Sequence, residues 1–262
     1  MVIIAVWRRI TTWRFWFYSA ISLISLAILL VGAVQTEQML FRRRVERMVG
    51  GIRNMQSENA TPEQKQQFVR QWSGSANTDG DCAQKCWQKI EFNNFATRHR
   101  ELLFDHPSLL RLYMLAGGHL AMVIFDFELR AGIPQYAGLK LALYVAPADR
   151  AEDDFGGMGY SLMGDIYFTH AHPEKWPDRI SPLHPAYRIS RPGGCEGCMD
   201  LSVAFLHGAS QSDIDRLAQF DYSCLTRWRR TCRTPSDLMP AAWQQKLQDD
   251  QYEAEQYKNM QR

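Results

Sequence analysis

The chain has 262 residues, of which 46% are hydrophobic, 22% charged and 12% aromatic, and its 30 Lys and Arg against 28 Asp and Glu leave a net charge of +2. These values exclude a disordered polymer, a collagen-like repeat and a strongly basic nucleic-acid binder, so no nucleic-acid partner is expected. A mean hydropathy of -0.33 excludes a polytopic transporter and leaves room for one membrane span.

That span is Phe15 to Val34, twenty residues without a charge. At about 1.5 Å per residue the helix covers roughly 30 Å, the hydrocarbon thickness of a bilayer. Trp13, Trp16 and Tyr18 sit at one end, where amphipathic rings favour the headgroup region. Ser19, Ser22 and Ser25 return their hydroxyls to carbonyls one turn back and do not forbid insertion. Two competing readings are a buried core helix and a cleaved signal peptide ending near Val31-Gly32-Ala33. The absence of any charge argues against the first, and the length of the apolar run against the second. The lipid bilayer is therefore the expected partner of this segment, as an uncleaved signal-anchor.

Arginines flank both ends (Arg8, Arg9 and Arg14 before; Arg42, Arg43, Arg44 and Arg47 after), so charge asymmetry does not set the topology. The cysteines do. All six, Cys82, Cys86, Cys195, Cys198, Cys224 and Cys232, follow the span, as expected of a domain in an oxidising compartment. The localisation read from this is single-pass membrane, with the C-terminal domain extracytoplasmic.

Beyond an N-terminal flank (1–14) and the span (15–34), residues 35–72 read as stalk helices. Met39, Leu40, Val45, Met48, Val49 and Ile52 give an imperfect helical stripe, and Gly50-Gly51 marks a bend or an end. Thr61 caps the next helix, with Pro62 at its first position and Gln64 completing a capping box; Phe68, Val69 and Trp72 form its buried side. Residues 73–81 are expected as a linker loop, 82–248 as the folded domain and 249–262 as a polar tail.

The centre of that domain reads as β. His119 to Arg130 alternates at its end, and Leu139 to Val145 runs back antiparallel after a loop over Gly132 to Gly138, longer than the tight two-residue type. Tyr160 to His170 and Leu201 to Leu206 are further strands, with a long loop or excursion over His172 to Pro192. Ser212 caps a helix carrying Ile214, Leu217, Ala218, Cys224, Leu225 and Trp228, and a last helix starts near Pro240 with Trp243 and Leu247 as anchors. The class is α+β: a transmembrane helix and stalk, then a small antiparallel sheet covered by helices.

Chemistry could reside in the cysteines, as CxxxC (Cys82, Cys86) and CxxC (Cys195, Cys198). Structural disulfides are favoured by compartment; a zinc tetrad from the two pairs and a redox dithiol at Cys195 and Cys198 are the alternatives. Cys224 and Cys232 are the first pair expected to bridge. His170 and His172 would share one face at a strand end, with His184 as a third ligand, but exposed loop histidines need no metal. Among the carboxylates Glu128, Asp153, Asp154, Asp165 and the adjacent Asp105-His106, the sequence does not show which converge. Gly159 to Met163 lacks the second glycine of a nucleophile elbow, and Gly157 to Leu162 the third of a dinucleotide fingerprint. Trp228-Arg229-Arg230 mixes aromatic and basic residues, a pattern more common at helix ends than in single-strand binders. No complete catalytic motif, cofactor site or metal site is expected. Two function classes follow: a membrane-anchored, disulfide-stabilised domain that binds or organises a protein partner, or a membrane-tethered enzyme (thiol oxidoreductase or metal-dependent hydrolase).

Overall fold

A computed structural model describes residues 2–56, 60–73, 76–131, 133–145, 160–169, 183–191, 199–228 and 232–261. The first helix, α1 (Val2–Gln56), is 55 residues long and unbroken by proline. It runs through Gly50-Gly51, where a bend or end was expected. Gly51 serves close packing instead: a Cβ there would stand 2.5 Å from Cε2 of the Phe68 ring.

The N-terminal part of α1 is bare, with Leu23, Leu26, Ile28 and Leu29 all more than 60% exposed. Its C-terminal part is core: Phe41, Val45, Met48, Val49, Ile52 and Met55 are buried, while Met39 and Leu40 of the expected stripe are exposed. The helix α2 (Pro62–Ser73) begins as its sequence specifies. Thr61 N–H donates to Gln64 Oε1 (2.9 Å) and Gln64 N–H to Thr61 Oγ1 (3.3 Å), a reciprocal capping box. Phe68, Val69 and Trp72 turn inward, and Phe68 meets Phe125 edge-on at 5.8 Å. The two helices expected as a stalk thus form part of the domain's core.

Among the described residues seven strands make one sheet: β1 (Ala76–Asp81), β2 (Lys85–Asn93), β3 (Leu120–Arg130), β4 (Ile133–Val145), β5 (Tyr160–Thr169), β6 (Tyr187–Ser190) and β7 (Met199–Phe205), in the order β1-β2-β3-β4-β5-β7-β6. Every pairing is antiparallel except β5 with β7. The period-2 pattern assigns the faces. Ile90, Phe125, Leu139, Ile166, Val203 and Ile189 lie in one row across six strands, all buried. Helices α1 and α2 cover this face over β2–β4. Over β5–β7 it is covered by α6 (Gln211–Leu217), α7 (Pro235–Leu238) and α8 (Pro240–Met260). Between β2 and β3 the short helices α3 (Phe95–Arg98), α4 (Arg100–Asp105) and α5 (Pro107–Leu115) sit beside α1. The α+β expectation holds.

Several boundaries differ from expectation. The polar stretch expected as a linker contains β1, which pairs with β2 from Ala76↔Ile90 to Asp81↔Lys85. An edge strand exposed on both faces from Asn77 to Asp81 tolerates such polarity. The β3–β4 connection is tight, since pairing continues to Arg130↔Ile133, and Ala131 adopts φ +49°. Of the residues expected as a loop, Ile133 to Gly138 are strand, interrupted by a register shift at Glu128/Leu129 opposite Tyr136 and Pro134, where proline has no N–H to donate. The edge strand β6 falls inside the expected excursion. Ser210, not Ser212, caps α6, its Oγ accepting from Asp213 N–H at 3.1 Å; the helix ends at Leu217, and Tyr222–Leu225 form a separate 3-10 turn. The expected polar tail is helical to Met260. Trp243 packs on the core with the Arg191 guanidinium 4.2 Å above its ring, whereas Leu247 is exposed.

Candidate functional site

The sheet's second face carries the strand residues that alternate with the core row. Register places Lys140, Asp165 and Ser202 side by side on β4, β5 and β7, with Asp200 beside Met163 and so diagonal to Asp165. Asp165 (3% exposed) and Asp200 (8% exposed) are buried there. Asp165 Oδ2 accepts from Ser202 Oγ at 3.0 Å and from the Tyr167 hydroxyl at 3.3 Å. Oδ1 of each aspartate is buried with no hydrogen-bond partner among the described residues.

Burial raises the Asp165 carboxyl, against the Lys140 charge and the Ser202 and Tyr167 hydrogen bonds. Burial together with the Asp165 charge pushes Asp200 up to about 6, again against Lys140. A carboxyl raised to about 6 takes up and releases its proton in mildly acidic solution, where an ordinary aspartate stays ionised. Asp126, on the same face, is raised by burial against Lys89 and Lys140. Glu128 behaves differently: burial opposes its charge, but Arg130 Nε (2.6 Å) and Lys85 Nζ (3.4 Å) hold it below the ordinary value. Sequence reading named Asp165 and Glu128 but had no means of joining Asp165 to Asp200, Ser202 and Lys140. The one local signal was an aspartate in the interior of each strand, where that residue is depleted.

The second constellation is polar and joins α1 to the domain. Gln38, wholly buried, donates from Nε2 to the Tyr113 hydroxyl (2.5 Å) and the His119 carbonyl (3.2 Å). Glu37 Oε1 accepts the Phe95 N–H at 2.8 Å, and its Oε2 faces the Tyr113 hydroxyl at 3.3 Å. Gln35 Nε2 reaches the carbonyls of Ala116 and Gly117, both at 3.2 Å. Gly117 has φ +86°, which favours glycine, and a Cβ there would displace the Gln35 amide, 2.3 Å away, and crowd the Trp228 ring at 3.0 Å. Asn94 caps α3 by accepting the Thr97 N–H and also bonds the His119 carbonyl. Burial holds His119 below its ordinary pKa, and its neutral ring donates from Nε2 to the Arg227 carbonyl at 2.7 Å. These contacts fix the direction in which the apolar half of α1 leaves the domain.

Of the other sequence candidates, Cys82 and Cys86 at the β1–β2 turn, and Cys224 and Cys232, are paired at disulfide distance, with Cα atoms 4.6 and 5.2 Å apart. Cys195, Cys198, His170, His172, Asp153 and Asp154 lie outside the described residues. His184 bonds Gln245 (2.9 Å) and Asp249 (3.2 Å) and stacks on Tyr187, occupations of an ordinary structural histidine. Asp105 and His106 are exposed where α4 gives way to α5. Ser161 of the failed nucleophile elbow lies within β5, opposite Tyr144. Trp228 is half exposed, its indole N–H donating to the Leu115 carbonyl at 2.9 Å; Arg229 and Arg230 lie outside the described residues. Among the described residues, no three His, Cys, Asp or Glu gather as a metal site. Among those residues α1 is the one helix long and apolar enough to cross a membrane. Comparison of the chain with protein families, with curated proteins and with solved structures gives no match.

Proposed function

We propose that the chain is a single-pass membrane protein anchored through Phe15 to Val34, with a disulfide-stabilised extracytoplasmic domain that binds or organises a protein partner. The observation that carries the anchor is the bare apolar half of α1: more than 60% exposure at Leu23, Leu26, Ile28 and Leu29 is incompatible with a core helix, and a bilayer is the solvent that suits it. The placement of the domain rests on its cysteines. Two pairs stand at disulfide distance, which leaves Cys82 and Cys86 no thiolate to offer zinc and suits an oxidising compartment. Because Gln35, Glu37 and Gln38 are bonded into the domain, the helix would hold it at a set height and tilt over the bilayer.

Membranes carrying the full chain, washed with alkaline carbonate and alkylated without reductant, test both parts. The chain is expected in the pellet with Cys82, Cys86, Cys224 and Cys232 unmodified. Release into the wash refutes the anchor. Free thiols, above all with bound zinc, refute the extracytoplasmic placement.

One observation favours the second reading, a membrane-tethered enzyme: the Asp165–Asp200 pair, with one carboxyl poised near 6 and a hydroxyl and an ammonium beside it. Carboxyl NMR of the full chain tests it. Titration of Asp200 near 4 removes the acid–base capacity on which that reading depends.

A further inference from the structure

On the anchored reading, the short helices beside α1 gain a role that their exposure leaves unexplained. Leu109, Leu112 and Leu115 recur at three-residue steps along α5 and share a face, each 45% exposed or more. Leu102 of α4 and Trp228 are likewise more than half exposed. Another side of α5 is packed: Leu110 and Tyr113, with Ala116 at the C-cap, share a hydrophobic cluster with Leu30, Val31 and Val34 of α1. Those three belong to the uncharged run itself. The cluster therefore lies at the depth where α1 is still apolar, not above it.

A second measure of depth agrees. Gln35 bonds Ala116 and Gly117, and the Trp228 indole bonds Leu115, so Gln35, Leu115 and Trp228 share one level. Trp16 marks the other end of the span, 35 − 16 = 19 residues away. At about 1.5 Å per residue that is about 28 Å, close to one hydrocarbon thickness, which places Trp228 where a second aromatic belt belongs. Glu101, Asp105 and Arg111 of α4 and α5 are also exposed, and the Arg111 stem is long enough to lie along apolar surface and lift its charge to the headgroups.

We infer that α5, with Leu102 and Trp228 beside it, is a second membrane contact: an interfacial platform whose leucines enter the leaflet from which α1 emerges. The occupant is lipid rather than protein because the packing of α5 on Leu30 and Val31 sets its depth before any partner arrives. The platform would prevent the domain from tilting about a single helix.

The full chain is reconstituted in phosphatidylcholine–phosphatidylglycerol vesicles with a benzophenone side chain at one position at a time: Leu112, Leu115, Leu26 in the span, and Gln67. Gln67 lines a groove with Gly51 and Asn54 at the far end of α1, and Asn54 is 54 − 34 = 20 residues beyond Val34, about 30 Å. Irradiation is expected to give lipid adducts at Leu26, Leu112 and Leu115 and none at Gln67. Adducts at Leu26 without adducts at Leu112 and Leu115 overturn the platform and leave the anchor standing. No lipid adduct at Leu26 overturns the anchor, and the platform with it. Crosslinks from Leu112 or Leu115 to another protein chain make this face a protein interface and also overturn the platform.

Discussion

Replacing Asp200 by Asn should stabilise the domain at alkaline pH and leave it unchanged in acid. In the fold Asp200 is raised from the ordinary aspartate value of 3.8 to about 6, by burial and by the Asp165 charge. A carboxyl whose affinity for its proton is higher folded than unfolded contributes stability that is complete below 3.8 and lost as pH climbs through about 6. At about 1.4 kcal/mol per tenfold change in proton affinity the ceiling is about 3 kcal/mol, which screening at the sheet surface reduces to about 1–2 kcal/mol. Asn copies the shape of the protonated acid without a charge to desolvate. The assay is urea unfolding of full-length chain in detergent, at several pH values from 4 to 8, for wild type and Asp200→Asn. The difference in unfolding free energy should be near zero at the acid end and favour Asn by about 1–2 kcal/mol at pH 8. His119 is held below its ordinary value by burial and adds a dependence of opposite sign, but both chains carry it and it cancels in the difference. Asp165→Asn, which removes the neighbouring charge, should bring Asp200 back toward its ordinary value and shrink the same difference. A difference independent of pH would refute the account of the pair.

Other outcomes follow from packing and crosslinking. Cys224→Ser should lower the unfolding temperature without reductant; by loop-closure entropy, a bridge across a sequence separation of 8 is worth about 2–3 kcal/mol, and no change would sink the bridge. Tyr113→Phe removes the hydroxyl between Gln38 and Glu37 and should cost about 1–2 kcal/mol in urea unfolding; no loss would mean the network does not clamp α1. Gly164→Ala would place a Cβ 2.6 Å from the Phe220 ring and 2.8 Å from Met239 Sδ, costing about 1–3 kcal/mol by overpacking, and a neutral result would show that the α7–α8 corner yields. Phe125→Ala, at a wholly buried position in the central row, should cost about 3–5 kcal/mol in the same measurement.

Part of this protein was legible in its sequence for simple reasons. A run without charge from Phe15 to Val34 states its solvent preference locally, and Thr61-Pro62 with Gln64 states a helix start, because capping involves backbone groups within one turn. Strand alternation at the end of β3 was visible for the same reason. Where the sequence reading failed, polar or proline-containing residues were strands. Ala76–Asp81 and Ile133–Pro134 take their hydrogen bonds from β2 and β3, partners that local propensity does not record.

The sequence by itself determined the apolar helix, the α+β class and, in β3, which residues share a face, since period and charge act over a few residues. Only the tertiary structure decided which strands became neighbours. The parallel pairing of β5 with β7 brings Asp165 to Ser202 and Asp200 across 37 and 35 positions, and the docking of α1 joins Gln38 to Tyr113 across 75. Alternation tells a residue which way to point and nothing about who will stand opposite. The acid pair and the clamp on α1 exist only because distant segments, each satisfied locally, had to bury one common core.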